Sequence, residues 1–185
     1  MADFPPQPGS WTIDATHSFV AFVVEHFTIA YARGLASGPT GVITIAEDPL
    51  ASSVRASIDA STIATGDPIR DEKIKGPDVL EVEQFPSIDF ASRALREQSP
   101  GRYAVDGDLT MHGVTRPVTL DLTVHGVITD VWDKTRLGST AVADIKRSDF
   151  DVLKWGHAPL KAGGFMVPDS LRVTLEIEAT RDDEV

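Results

Sequence analysis

The chain has 185 residues, 42% of them hydrophobic, and a formal net charge of −11, which suits one domain with a packed core. That acidic balance argues against a nucleic-acid partner, which needs clustered Lys and Arg, and against direct docking on an anionic membrane. With no cysteine in the sequence, disulfides, thiolate metal sites and a cysteine nucleophile are excluded. The first ten residues lack a basic region followed by an apolar stretch, and no run reaches the length of a membrane span. The expectation is a protein without an integral membrane segment, located in the cytoplasm.

Period-two alternation, punctuated by Gly, Pro and Asp, dominates the chain. Phe19 to Val24 is apolar on both parities, so both of its faces should be covered, and Phe19, Phe22 and Val24 are candidates for the interior. Gly41 to Ala46 is a weaker strand candidate. Ser53 to Asp59 sets Val54, Ala56 and Ile58 on one face. Near Asp67 to Gln84 lies the one helix-like stretch, with Asp67 as N-cap, Pro68 as first helical residue and Gly76 as the stop. Pro77 opens a second short turn, and this excursion is the natural cover for the outer face of the Phe19 strand. Ser87 to Phe90 directs Ile88 and Phe90 to one side; Arg102 to Thr110 does the same with Tyr103, Val105 and Leu109. Pro117 to His125 alternates most cleanly, with Val118, Leu120, Leu122 and Val124 opposed to Thr119, Asp121, Thr123 and His125. Val127 to Trp132 and Arg136 to Lys146 are weaker. The last strand, Ser170 to Ala179, turns Leu171, Val173, Leu175 and Ile177 away from Arg172, Thr174, Glu176 and Glu178.

This count gives about eight strands with one helical insertion. Eight antiparallel strands can close into an up-and-down barrel and so remove exposed edges; a two-sheet sandwich is the rival. The expected fold is therefore an all-β, eight-stranded antiparallel barrel over residues 11–180, between short tails at 1–10 and 181–185. A barrel of that size is either filled by its side chains or holds one small ligand.

Catalytic motifs are absent. None of the five histidines has metal-ligand spacing, there is no G-x-S-x-G elbow, and no glycine-rich loop opens a helix. Neither an enzyme nor a metal site is expected. Trp11, Trp132 and Trp155 should pack at the barrel ends.

Several strings, read in order, resemble the YceI-like family of lipid-binding proteins. They are His17-Ser18 followed by His26, then Arg33-Gly34, Thr65-Gly66, Arg70-Asp71, Pro77-Asp78-Val79-Leu80 and Phe85-Pro86. Gly107 to Thr115 and Arg147-Ser148-Asp149-Phe150 complete the pattern. The resemblance implies a lipocalin-like barrel, often a homodimer, that holds a polyisoprenoid or another long-chain amphiphile inside. Family members are commonly exported, whereas this sequence shows no leader. It also departs from the family pattern at Asp151, where a glycine is usual, and at Val79-Leu80, where an aromatic residue is usual.

On this reading the ligand is a non-covalently bound isoprenoid, quinone or fatty-acid-like lipid. The apolar wall would comprise Phe19, Phe22, Val24, Val54, Ile58, Ile88 and Phe90 from the first half. Val105, Leu109, Val118, Leu120, Leu122, Val173 and Leu175 would supply the rest. His17, His26, Arg33, Arg70 and His112 are head-group candidates, although an internal Arg70–Asp71 salt bridge is the simpler role for that pair. Two alternatives compete: a metalloprotein or hydrolase using His17, His26 and His112, and a solid barrel that serves structure or interaction.

Overall fold

The computed structural model describes residues 6–152, 156 and 158–182. Ten strands occur: β1 (Gly9–Ile13), β2 (Phe19–His26), β3 (Ala30–Ser37), β4 (Thr40–Ile45), β5 (Ser53–Asp59), β6 (Ser87–Ser99), β7 (Arg102–Met111), β8 (Val114–Thr129), β9 (Thr135–Lys146) and β10 (Ser170–Arg181). One α-helix, α1 (Pro68–Lys75), lies between β5 and β6. All neighbouring strands pair antiparallel.

The ten strands make a closed barrel of eight staves, because two staves are each built from two strands. β10 pairs with β9 along one edge and, along the other, with β1 (Trp11 opposite Arg181) and then β2 (Phe19 opposite Glu176). β1 in turn pairs with β4, and β2 with β3. β1 and β2 are thus two halves of one stave, and β3 and β4 two halves of the next, with a corner at Gly38, which has φ +66°. The hoop β4–β5–β6–β7–β8–β9–β10–β1 closes completely, leaving no edge there to template aggregation. At the other end β3, laddered to β2 on one side, meets the wall on the other by a bridge in which Leu35 and Ala64 exchange backbone hydrogen bonds of 2.8 and 2.9 Å and by the Ser37 N–H donating to Thr62 Oγ1 at 3.2 Å.

The excursion between β5 and β6 fills that end. Asp67 caps α1 by accepting from the backbone N–H groups of Ile69 and Arg70, both at 3.0 Å, and the Gly76 N–H donates to Glu72 to close the last turn. Ile74, Val79, Leu80 and Val82 pack into the main core with Val20, Ile63, Ile145 and Phe150. The excursion therefore stoppers the barrel rather than covering the outer face of β2. A smaller cluster around the fully buried Trp11, with Val127, Leu137 and Ala179, occupies the opposite end.

Several sequence expectations need correction. Phe19 is 40% exposed, because Val20, Phe22 and Val24 take the inward positions of β2 and strict alternation turns Phe19 outward. Trp132 is 71% exposed in the β8–β9 turn, where the Asp130 carboxylate accepts from the N–H groups of Trp132 and Lys134; it does not pack at a barrel end. Trp155 lies outside the described residues. Val127 to Trp132 is no separate strand: β8 passes a bulge at Val124–Gly126 and continues to Thr129. The expected tails are partly tied together, since the Asp182 carboxylate accepts from Thr12 Oγ1 at 2.6 Å and the Asp182 N–H donates to Ser10 O at 3.0 Å.

Candidate functional site

The barrel is hollow. A wide chamber of about 290 Å³ lies toward the excursion and a narrow one of about 150 Å³ toward the Trp11 end. For scale, a dry apolar cavity of about 150 Å³ holds a benzene-sized molecule. Ala56, Phe90, Leu120, Leu175 and Ile177 line both chambers and form a waist between them. Small inward residues make this room: Ala32, Gly34 and Ala36 on β3, and Ser139, Ala141 and Ala143 on β9, stand where larger side chains would meet across the axis.

Most of the expected wall residues face these chambers. Phe22, Val24, Ile58, Ile88, Leu109, Val118 and Val173 line the wide chamber. Val54, Val105 and Leu122 line the narrow one, and Phe90, Leu120 and Leu175 reach both. Phe19 lines neither.

Two of the aromatic rings lie against glycines. A Cβ at Gly34 would stand 2.2 Å from Phe22 Cζ, and one at Gly107 would stand 2.3 Å from Phe90 Cζ. Each ring tip takes the space where a side chain on the neighbouring strand would otherwise begin.

Polar groups gather at the wide end. His26, Arg33, Thr65, Arg70 and Arg147 belong to the wide-chamber lining, which contains no Asp or Glu among the described residues. Arg70 and Asp71 do not pair directly as expected; both bind Thr65. The Thr65 N–H and Oγ1 donate to Asp71 Oδ1, while Arg70 Nε donates to Thr65 Oγ1 at 2.7 Å and a terminal nitrogen donates to Thr65 O at 3.0 Å. The Thr65 bond holds the Asp71 carboxyl below its ordinary range. Arg33 is exposed, its guanidinium 5.9 Å from the Tyr31 ring centroid.

Arg147 was not among the expected site residues. It opens a short 3-10 turn after β9, is 9% exposed, and donates through one terminal nitrogen to the carbonyls of Val167 and Pro168, each at 2.9 Å. Burial pulls its guanidinium below the usual arginine range. No period-two rule reaches a residue just beyond a strand. The only signal was its place in the Arg-Ser-Asp-Phe string. The excursion residues Ile74, Val79 and Leu80 also line the wide chamber without having been among the expected wall residues, since their irregular spacing carries no periodicity.

The three histidines of the metal alternative have separate partners. His17 lies outside both chambers and bonds Asp14 through Nδ1 at 2.8 Å. His26 faces the wide chamber and sits edge-on to Phe27. His112, at φ +52°, lies edge-on to Phe85, and its Nδ1 is 3.3 Å from Phe150 O. Among the described residues, the one group with metal-ligand proximity is Asp14, His17 and Glu178. There Arg136 already supplies a cation, 2.7 Å from Asp14 and 3.4 Å from Glu178. His17 and Arg136 together hold the Asp14 carboxyl well below the ordinary carboxylate range.

Comparison with known proteins agrees with this architecture. Residues 11–179 match the family model described as the YceI-like domain. A UPF0312 protein of Yersinia pestis (strain Pestoides F) is 31% identical over 140 residues, which cover 75% of this chain and 72% of the relative. Among solved structures, BcnA of Burkholderia cenocepacia superposes with a TM-score of 0.77 at 22% identity, covering 91% of this chain and 99% of that one. A polyisoprenoid-binding domain from Saccharophagus degradans gives 0.71 at 17% identity, covering 95% and 99%. These two likenesses establish the fold.

Proposed function

The chain belongs to the YceI-like family, and from that membership and its hollow barrel we propose that it binds and carries a long-chain amphiphile. A polyisoprenoid, an isoprenoid quinone or a fatty-acid-like lipid would place its tail through the waist and its head at the wide end. The observation that carries this reading is the pair of apolar chambers meeting at Phe90 and Leu120. Aliphatic walls suit a flexible hydrocarbon because contact is by area and requires no hydrogen-bond partner. Each buried methylene contributes about 0.8 kcal/mol, so ten give about 8 kcal/mol before the cost of ordering the chain. The polyisoprenoid-binding domain of Saccharophagus degradans, which shares the fold, supports the same class of ligand here. A binding role rather than catalysis is part of the proposal.

Native mass spectrometry of the purified protein tests it. The expected result is one long-chain species per barrel, or stoichiometric uptake of an added prenyl or fatty ligand. A protein that emerges empty and takes up neither overturns the reading.

A further inference from the structure

The wide end carries an exposed surface unlike the rest of this acidic protein. The sequence holds 28 acidic residues, yet residues 26–46 and 152–168, its two longest stretches without Asp or Glu, contain none. The fold brings these two stretches together. The Phe27 N–H donates to Met166 O at 2.8 Å, and a Cβ on Gly164 would stand 2.8 Å from the Thr28 methyl.

Each stretch contributes a turn that shows apolar or basic side chains to solvent. Between β2 and β3, Phe27 and Thr28 have φ of +53° and +61°, a conformation that hairpin turns usually give to Asn-Gly. Here a bulky residue and a β-branched one adopt it at a cost in backbone strain. The turn presents Ile29 at 86% exposure and Tyr31 at 62%. Phe27 is also exposed, and Arg33 stands beside the Tyr31 ring. In the second stretch the Leu160 N–H donates to Gly164 O at 3.0 Å, closing a turn that exposes Lys161. Glu25, opposite Tyr31, is the one carboxylate on β2 and β3. On α1, Asp67 is engaged as the N-cap and Asp71 by Thr65. His26 and Arg33 line the wide chamber, so the exposed surface is continuous with the cavity.

An apolar patch flanked by cations and nearly free of carboxylates matches a bilayer interface. There Tyr settles among the head groups, and Lys and Arg meet anionic lipids. The net charge of −11 opposes such docking for the molecule as a whole. At physiological ionic strength, however, charges beyond about 8 Å are screened, and local composition decides which face can approach. The opposite end of the barrel gives the contrast: Val131 and Trp132 are exposed there, but Asp130 and Asp133 share their turn.

We propose that the wide end docks on a phospholipid bilayer, with Phe27, Ile29 and Tyr31 entering the interface and Arg33 and Lys161 meeting anionic head groups, so that the chamber exchanges its guest with the membrane. The exchange, though not the docking, rests on the carrier reading above.

The test is flotation of the purified protein with vesicles of mixed phosphatidylcholine and phosphatidylglycerol at physiological salt. The parent should float with them, and less with phosphatidylcholine alone. Ile29→Glu should lower vesicle partitioning at least about tenfold and Lys161→Glu at least about threefold. Both should keep the parent's affinity for a fatty-acid probe in solution. Trp132→Glu, at the opposite end, should float as the parent does. A parent that stays in solution, an Ile29→Glu variant that floats unchanged, or an equal loss in Trp132→Glu overturns the docking surface. Equal flotation with both lipid compositions overturns the part given to Arg33 and Lys161. Sedimentation velocity without lipid separates the other occupant: if Ile29→Glu turns a parent dimer into monomers, the patch is a contact between copies and the proposal falls. The carrier reading is decided separately, by whether the parent takes up the fatty-acid probe in solution.

Discussion

Replacing Gly34 by Ala turns the packing of one ring into a measurable change in capacity. The new Cβ would lie 2.2 to 2.9 Å from three atoms of the Phe22 ring and meet no backbone atom among its nearest contacts. The ring must withdraw to ordinary contact at 3.4 Å or more, a shift of about 1.2 Å. Behind it is the wide chamber, so it moves into space a tail would otherwise occupy. Overpacking costs about 1–3 kcal/mol in a filled core; beside an empty chamber the loss of stability should fall near the lower bound. Excluding about two methylenes removes about 1.6 kcal/mol of binding, about fifteenfold in Kd. Titration of the folded variant with a fatty-acid probe, alongside thermal melting, reads both quantities. Gly34→Ala/Phe22→Leu should bring the affinity back to within about threefold of the parent. An unchanged Kd in folded Gly34→Ala shows that the ring does not border the tail, and the chamber assignment is then wrong.

Leu120→Trp, at the waist, should leave the fold assembled and shorten the longest chain retained, which native mass spectrometry with a chain-length series would show. Phe90→Ala should act oppositely, joining the chambers and favouring longer chains; an unaltered length profile in both variants contradicts the waist. Asp14 and Asp106 lie below the ordinary carboxylate value of 3.8 in the folded protein, Asp106 at about 2, held by the Arg96 and Thr119 hydrogen bonds. A folded value below the unfolded one means the stabilisation is present above about pH 4 and lost as the pH falls through the folded value. Asp106→Asn should therefore flatten the fall in stability between pH 4 and 2, followed by urea unfolding. In hydrogen exchange, the Leu35 and Ala64 amides should exchange well before those of the β9–β10 ladder; equal protection contradicts a weak seam there.

Most of the wall was legible because alternation is a strong signal where inward residues are large. Val118, Leu120 and Leu122 announce their face at once, and the partner strand must supply an equally apolar one. β3 was illegible for the complementary reason: Ala32, Gly34 and Ala36 are small, since the Phe22 ring occupies the space above Gly34. A strand that yields volume to its neighbour loses its own hydrophobic period. The misplacement of Phe19 has the opposite cause, a strand apolar on both faces whose parity is fixed only by its partners. The wide end was hardest to read, because its residues come from a helix and a turn and converge only through the fold. Arg70 and His26 were accessible as head-group candidates through family strings. Arg147, deeper and more enclosed, was noticed as part of a string without a role.

The barrel is hooped unequally. Around the Trp11 end every stave is hydrogen-bonded to the next, whereas at the far rim the outer edge of β3 is buttoned to the wall only by the Leu35–Ala64 bridge and a Ser37–Thr62 hydrogen bond among the described residues. Such a vessel is stiff at its foot and compliant at its lip. On the proposed carrier reading, it would swell for a bulky guest at the lip and keep its grip on the thinner tail at the foot, so its tolerance for different cargoes would be set at the lip.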